Sequence, residues 1–299
     1  MNRVTSYSAS TLMLSNLYTS QRALATSQQQ MASGKKIQKA SDGPAEAVAS
    51  LDTRAKLRRS TQLDRSAGRA KEWLQASDGA TQSIVDGINQ ARSLLVQANS
   101  GTLDNTARTS IANQLIQIRE SLLGTANTAV LGRPIFSGTA AGSAAYDTTG
   151  AFVGDTTGVS LPIASGVTIR VSRTGPEVFG MANATDPANG DLFQQLSSMA
   201  TSVAANDTAA IANGLNSLDA AATRVAGIQV ELGSKLNQID DLRSAAQAQD
   251  TELTSFQSSL EDIDYAELSV KLKTQEASYQ AALQVTARVI QPSLLDFLK

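Results

Sequence analysis

The side chains that most often do chemistry are missing. The 299-residue chain has no histidine and no cysteine. It therefore lacks the commonest general base, the commonest metal ligand, thiolate nucleophiles, disulfides and Cys-held zinc or iron–sulfur clusters. Four groups of residues still merit weighing as sites. The acidic run Glu261, Asp262, Asp264 and Glu267 could chelate a cation. It lacks the central Gly and the later Glu of a calcium loop, so it reads as a solvated helix face or a helix N-terminus. The basic run Arg54, Lys56, Arg58 and Arg59 could contact phosphates. No aromatic residue interleaves with it, and pairing within or between subunits accounts for it better than nucleic acid does. Gly138, Gly142, Gly150 and Gly154 do not precede a helix in a phosphate-loop pattern. The many serines have no histidine to activate them and no SxxK partner. Trp73, the only tryptophan, reads as a buried anchor. We expect no catalytic residue, no metal and no cofactor.

The elements that carry these residues point to packing and assembly. Lys and Arg number 25 against 27 Asp and Glu, and aromatic content is 4%. A net charge of −2 gives no bulk case for nucleic acid or an anionic membrane as partner. Residues 1–20 carry a single charge, Arg3, without an apolar run of signal-peptide type. No run approaches the ~20 apolar residues of a membrane span. The expectation is a soluble chain that, if exported, leaves without a cleaved leader.

Residues 131–190 hold 10 of the 20 glycines and four of the six prolines. The alternation in Val159–Ile163 and Val167–Arg173 predicts strands there. The flanking blocks read as helices with seven-residue repeats. One seam runs Ile211, Leu215, Leu218, Ala222, Val225, Gln229, Leu232, Leu236, Ile239, then slips by three residues to Leu242, Ala246, Gln249, Leu253, Phe256, Leu260, Ile263. Others are Ile84, Ile88, Ala91, Leu95, Ala98 and Ile111, Leu115, Ile118, Leu122. The N-terminal seam is Leu14, Leu17, Gln21, Leu24, Gln28, Met31. Asp104 is placed to cap one helix and Pro44 to open another.

The fold class predicted is mainly α with a small β insertion: a long antiparallel helical bundle or coiled coil formed by the N- and C-terminal regions, with a mid-chain β-rich domain. The chain must run out along the bundle and return, bringing its termini together. Charge agrees, since residues 1–71 carry a net of +8 and residues 219–267 a net of −7. Arg54, Arg58, Arg65 and Arg69 fall on one stripe of the outgoing arm. We expect a terminal coiled-coil domain (1–42 and 262–299), a helical bundle (43–135 and 191–261) and an outer β-rich domain (136–190). The polar terminal seams bury little apolar area, which predicts that roughly 1–40 and 265–299 order only on assembly.

These residues resemble the bacterial flagellin family, and within it the hook–filament junction proteins. Met31-Ala32-Ser33-Gly34-Lys35-Lys36-Ile37 followed by Ala40-Ser41-Asp42-Gly43-Pro44-Ala45 is similar to the family's SGKR-I…A-SDDPA stretch, with Gly43 where a second Asp is common. Asn99-Ser100-Gly101-Thr102-Leu103, then Arg108 and Ile111, resembles the start of the family's next helix. Gly132-Arg133-Pro134-Ile135-Phe136-Ser137-Gly138-Thr139 resembles an element typical of the junction branch, with Pro134 where an aromatic is common. Tyr279 to Leu283 and Leu294 to Leu298 resemble the shared C-terminal helix.

The resemblance implies a structural protein of the flagellum, exported unfolded through the flagellar type III apparatus to the cell exterior. It implies a ring of subunits between hook-associated protein 1 and the flagellin filament, adapting a flexible hook to a stiff filament. Terminal helices would form an inner tube, the bundle an outer wall, and the insertion would project outward. An export chaperone would hold the C-terminal helix. The subunit-packing residues would be Leu14, Leu17, Leu24, Met31, Leu283, Ile290, Leu294 and Leu298, on seams that can equally serve as intrachain core. Three other readings stay open: a filament flagellin, a coiled-coil adaptor of a secretion system, and a metal-dependent hydrolase built on the acidic run.

Overall fold

A computed structural model describes residues 6–100, 103–181 and 190–296 of the chain. Its helices are α1 (Ser6–Ser33), α2 (Pro44–Ala98), α3 (Asn105–Ala126), α4 (Gly175–Phe179), α5 (Leu192–Ala205), α6 (Thr208–Glu261) and α7 (Tyr265–Asp296). The strands are β1 (Ala129–Val130), β2 (Arg133–Pro134), β3 (Ser160–Ala164) and β4 (Val167–Arg170), paired antiparallel as β1–β2 and β3–β4. The fold is thus mainly α with a small β insertion. Two compact units divide the chain, one of residues 1–59 with 249–299 and one of residues 60–248. The two units divide inside α2 and inside α6. The described residues 136–181 of the insertion lie in the central unit, and their apolar side chains share one core with the helices.

In the terminal unit, α1 runs antiparallel along α7, with Lys35 bridging to Asp262 where the first helix ends and the second is about to begin. The inward positions of α1 are Met13, Leu17, Ser20, Leu24, Ser27 and Met31, a strict 4,3 alternation. The expected seam had Leu14, Gln21 and Gln28 in place of Met13, Ser20 and Ser27. The difference is physical: small Ser20 and Ser27 let the helices approach, whereas two glutamines would be buried at a desolvation cost. α7 answers with Leu268, Leu272, Gln275, Tyr279, Ala282 and Thr286.

In the central unit, α2 and α6 run antiparallel in one register. Asp64 meets Arg243 at 2.8 Å, Lys71 meets Asp240 at 2.6 Å, Gln82 meets Gln229 at 3.1 Å and Arg92 meets Asp219 at 2.8 Å. Two of the three ion pairs join a basic outgoing residue to an acidic returning one; Asp64–Arg243 has the opposite sense. Exposed pairs of this kind contribute roughly 0.2–1 kcal/mol each, so they choose register more than they stabilise. The seam Ile84, Ile88, Ala91, Leu95, Ala98 is fully buried, and Ile111, Leu115 and Leu122 of α3 are buried with it.

On α6 the burial follows Ile211, Gly214, Leu218, Ala221, Val225, Ile228, Leu232 and Ile239, with Leu215, Ala222 and Leu236 half-buried beside them. The face is broader than a two-helix seam because α5 and the inserted block also lie on it. A Cβ on Gly214 would meet Met199 Cγ at 2.9 Å, and Arg224 Nε donates to the Val178 carbonyl. Beyond Ile239 the inward positions are Leu242, Ala246, Asp250, Leu253, Gln257 and Leu260. The step that breaks the repeat is an extra four from Ala246 to Asp250, not the expected slip of three after Ile239. Phe256, expected inside, is 49% exposed.

Local signals account for the connections. Pro44 is the first residue of α2, and Asp104 accepts from the Ala107 N–H at 2.7 Å to cap α3. Gly101 and Thr102 lie outside the described residues. The β3–β4 hairpin occupies the two runs read as strands. The short helix α4 was not anticipated, although its signal was present: the Glu177 carboxylate accepts from the Thr174 N–H at 2.8 Å, the reach of a Thr-x-x-Glu box around Pro176. Five rings cluster where the insertion meets α5. Tyr146 touches Phe152, Phe179 and Phe193, and Phe136 meets Phe179 edge-on, with centroids 5.0–5.5 Å apart.

Candidate assembly site

The two helix breaks of the terminal unit are fastened to each other. Gly34 ends α1 at φ +70°, and its N–H reaches the Gln30 carbonyl at 2.9 Å. A Cβ at Gly34 would lie 2.9 Å from the Tyr265 hydroxyl, so both the dihedral and the contact call for glycine. The Lys36 N–H donates to the Glu261 carbonyl at 2.5 Å and the Ile263 N–H to the Gly34 carbonyl at 3.2 Å. Lys35 Nζ adds a contact to Asp262 at 2.6 Å. Gln30 Nε2 donates to the Lys36 carbonyl, and Gln38 Nε2 to the Gln29 carbonyl, both at 2.9 Å. Asp42 closes the loop before Pro44 by accepting from the Gln38 and Lys39 N–H groups.

Glu261 sits at the centre of this clasp and is 2% exposed. Arg54 Nε and Nη2 bind its two carboxylate oxygens at 2.9 and 2.8 Å. Ser50 Oγ donates to it, Gln257 Nε2 donates at 3.2 Å, and Lys35 Nζ lies at 3.3 Å. The Arg54 guanidinium, with the hydrogen bonds from Ser50, Gln257 and Lys35, pulls its pKa down to about 2 against the opposing effect of burial. Of the acidic run, expected to be a solvated helix face or a helix N-terminus, Asp264 does stand at the N-terminus of α7, and Glu261 is the member that departs from that expectation. Glu261 is buried and paired, Asp262 holds Lys35, and Asp264 caps α7 through the Ala266 and Glu267 N–H groups. Gln257 and Glu261 are four residues apart, hydrogen-bonded to each other on the face of α6 that meets Arg54, which explains why this end of α6 turns Phe256 outward.

No group of three or more Asp and Glu suited to holding a metal ion occurs among the described residues. None of the described helices is long and apolar enough to cross a membrane. Of the basic run, Arg54 is bound to Glu261 and Lys56 to Asp52 at 2.8 Å, while Arg58 and Arg59 are exposed. Trp73 is buried, with the Arg133 guanidinium 5.9 Å from its ring centroid.

The residues expected to pack between subunits divide into three sets. Leu14 and Leu283 stand at the surface, 40% and 42% exposed. Leu17, Leu24 and Met31 are half-buried on the α1 stripe that faces α7. Ile290 and Leu294 fall on α7 where only the backbone is described, and Leu298 lies outside the described residues. The sequence reading missed other apolar residues left on the surface of this pair: Leu12 and Tyr18 on α1, Val270 and Val285 on α7, each more than half exposed. The signal that could have found them is the polar character of Gln21 and Gln28, which argues for rotating α1 until Leu14 faces out.

Residues 4–141 match the model of the bacterial flagellin N-terminal helical region, and residues 215–298 match that of the C-terminal helical region. The chain belongs to the bacterial flagellin family. The two matched regions of this flagellin-family chain hold α1 to α3 and nearly all of α6 and α7. Between them lies most of the ring-filled insertion. The chain is 26% identical over 276 residues to flagellar hook-associated protein 3 of Salmonella typhimurium, covering 85% of this chain and 86% of that protein. It is 27% identical over 280 residues to flagellar hook-associated protein 3 of Escherichia coli, covering 85% and 87%. A putative flagellar hook-associated protein from Vibrio parahaemolyticus shares the fold with a TM-score of 0.67 at 18% identity, over 74% of this chain and 100% of that one.

Proposed function

We propose that this chain is a structural subunit of the bacterial flagellum, placed where hook meets filament. One observation carries the reading. The chain spans 85% of its length in common with proteins named flagellar hook-associated protein 3, and both flanking helical regions are matched in order. Its mechanism is mechanical. Subunits close into a ring, with hook-associated protein 1 on one side and flagellin on the other. The α1–α7 pair lines the inside, and Leu14, Leu17, Leu24, Met31, Leu283, Ile290, Leu294 and Leu298 supply apolar contacts to neighbouring copies. What supports this is the apolar surface that α1 and α7 leave uncovered, including Leu12, Tyr18, Val270 and Val285. The insertion faces outward, and the subunit is not an enzyme. The chain reaches the cell exterior unfolded through the flagellar type III apparatus, with an export chaperone on the C-terminal amphipathic helix.

Immunogold electron microscopy of intact flagella, with antibody raised against residues 140–190, tests the placement. The expected result is a narrow band of label at the hook–filament boundary. Label along the whole filament would make the chain a filament flagellin. Absence from flagella would return the coiled-coil adaptor reading.

A further inference from the structure

β1 and β2 are joined by Leu131 and Gly132, and both stand at positive φ, 51° and 78°. This is the mirror-image two-residue hairpin turn, whose first position favours Asn, Asp or Gly. Leucine there strains its Cβ against the following carbonyl. It gains nothing locally in return. The Leu131 side chain is 82% exposed, the most exposed large apolar side chain among the described residues. The tip is nonetheless held firmly. The Ile135 N–H donates to the Thr128 carbonyl at 2.9 Å, Ile135 and Phe136 are wholly buried, and Arg133 lies over Trp73. A Cβ on Gly132 would meet nothing within 4 Å, so the tip stands clear of the rest of its unit. A strained, rigid, solvent-exposed leucine is unfavourable in the isolated chain, which points to a contact made elsewhere.

The same central unit carries a groove with two apolar side chains set among polar ones. An open groove of about 430 Å³ lies between α2 and α3, lined by Gln90, Ser93, Leu94, Gln114, Gln117 and Ile118. Leu94 and Ile118 are its apolar lining residues, both half-buried. Val96 and Ile116 on the same two helices are exposed. The tip does not fill its own groove, since Leu131 is open to solvent. A knob and a hole on different surfaces of one chain make a head-to-tail contact between copies, the kind that closes a ring.

We propose that Leu131 is an assembly knob that seats on Leu94 and Ile118 of a neighbouring copy. This rests on the reading of the chain as a ring-forming subunit. A photo-crosslinking amino acid at position 131, in cells that express the full chain, tests it. The expected product has twice the chain's mass and joins position 131 to peptides from residues 90–118. An adduct to a different protein, or no adduct while immunogold label still marks the boundary, overturns the knob and leaves the junction reading standing. Absence of label from the boundary removes the junction reading, and the knob with it. Leu131→Asn separates assembly from folding. Its thermal midpoint as an isolated chain should equal or exceed that of the parent, while its occupancy at the boundary falls about tenfold or more. Leu131→Met should retain occupancy. Normal occupancy by the Asn variant overturns the proposal.

Discussion

Arg54 and Glu261, 207 residues apart in sequence, meet through two hydrogen bonds of 2.9 and 2.8 Å. The carboxylate is almost wholly buried and the guanidinium is nearly half exposed. This pair ties the first turns of α2 to the last turn of α6, where both chain breaks come together. Replacing Glu261 by Gln removes the charge but keeps the shape. Because Arg54 and Lys35 can turn to solvent, the loss should be about 1–3 kcal/mol rather than that of a fully buried pair. Hydrogen exchange should report faster opening of residues 6–33 and 265–287, with the core around Leu74 and Leu218 unchanged.

The same carboxylate sets an acid limit. Its folded pKa of about 2 lies below the ordinary 4.5. A depressed carboxylate stabilises the folded state above its unfolded pKa, and the stabilisation is lost as pH falls through its folded pKa. The clasp should therefore hold at pH 5 and above and weaken from about pH 4.5 down to about 2. The contribution is at most about 3 kcal/mol and smaller in salt, since Arg54 and Lys35 are solvated. Exchange or limited proteolysis of the terminal unit across that range, with Glu261→Gln as the pH-insensitive comparison, checks the sign.

Gly34→Ala should cost about 1–2 kcal/mol in the terminal unit, because it combines a φ of +70° with a contact to Tyr265. Gly34→Ala with Tyr265→Phe removes only the hydroxyl and should recover the smaller part. If Gly34→Ala alone proves neutral in denaturant unfolding, the clasp geometry is wrong.

Leu14→Lys and Leu283→Lys should change the stability of the isolated chain by no more than about 0.5 kcal/mol, because both side chains are already at the surface. Both should stop assembly, as should Leu294→Lys. Leu17→Lys, on the inward stripe, should lose α1 helicity as well. Circular dichroism of the purified chain beside swimming assays of a complemented deletion strain separates the two effects. Motility restored by Leu14→Lys and Leu283→Lys would end their assignment as packing residues.

Asn127 joins the end of α3 to the ring cluster. Its side-chain oxygen accepts from the Ala145 and Tyr146 N–H groups at 2.8 and 2.9 Å, and its amide donates to the Tyr146 carbonyl at 3.0 Å. Asn127→Ala should destabilise the central unit by about 2–3 kcal/mol, since it leaves partly buried backbone groups unpaired. A lowered urea midpoint with an unaltered slope is the expected reading.

Much of this architecture is legible along the chain. The division into helical flanks and a strand-bearing middle follows from where glycine and proline fall, and the seams at Ile84–Ala98 and Ile111–Leu122 follow from spacing alone. The caps at Asp104 and Pro44 are equally local. The stretch from Ser33 to Ala45 is recognisable along the chain, but its physical reason emerges only with Glu261 and Ile263 beside it. The run Glu261–Glu267 looks uniform in sequence, yet its members do three different jobs.

What the sequence by itself determined was type and period: which stretches coil, which fold back, and which arms attract. Those properties depend on neighbours within a few residues. What only the tertiary structure decided was phase and exposure. It chose Ser20 and Ser27 over Gln21 and Gln28 for the inside of α1, buried one carboxylate of an acidic run, and left Leu131 strained in water. Each of these depends on which distant segment lies alongside, because desolvation and packing are set by the partner surface and not by the residues next in the chain.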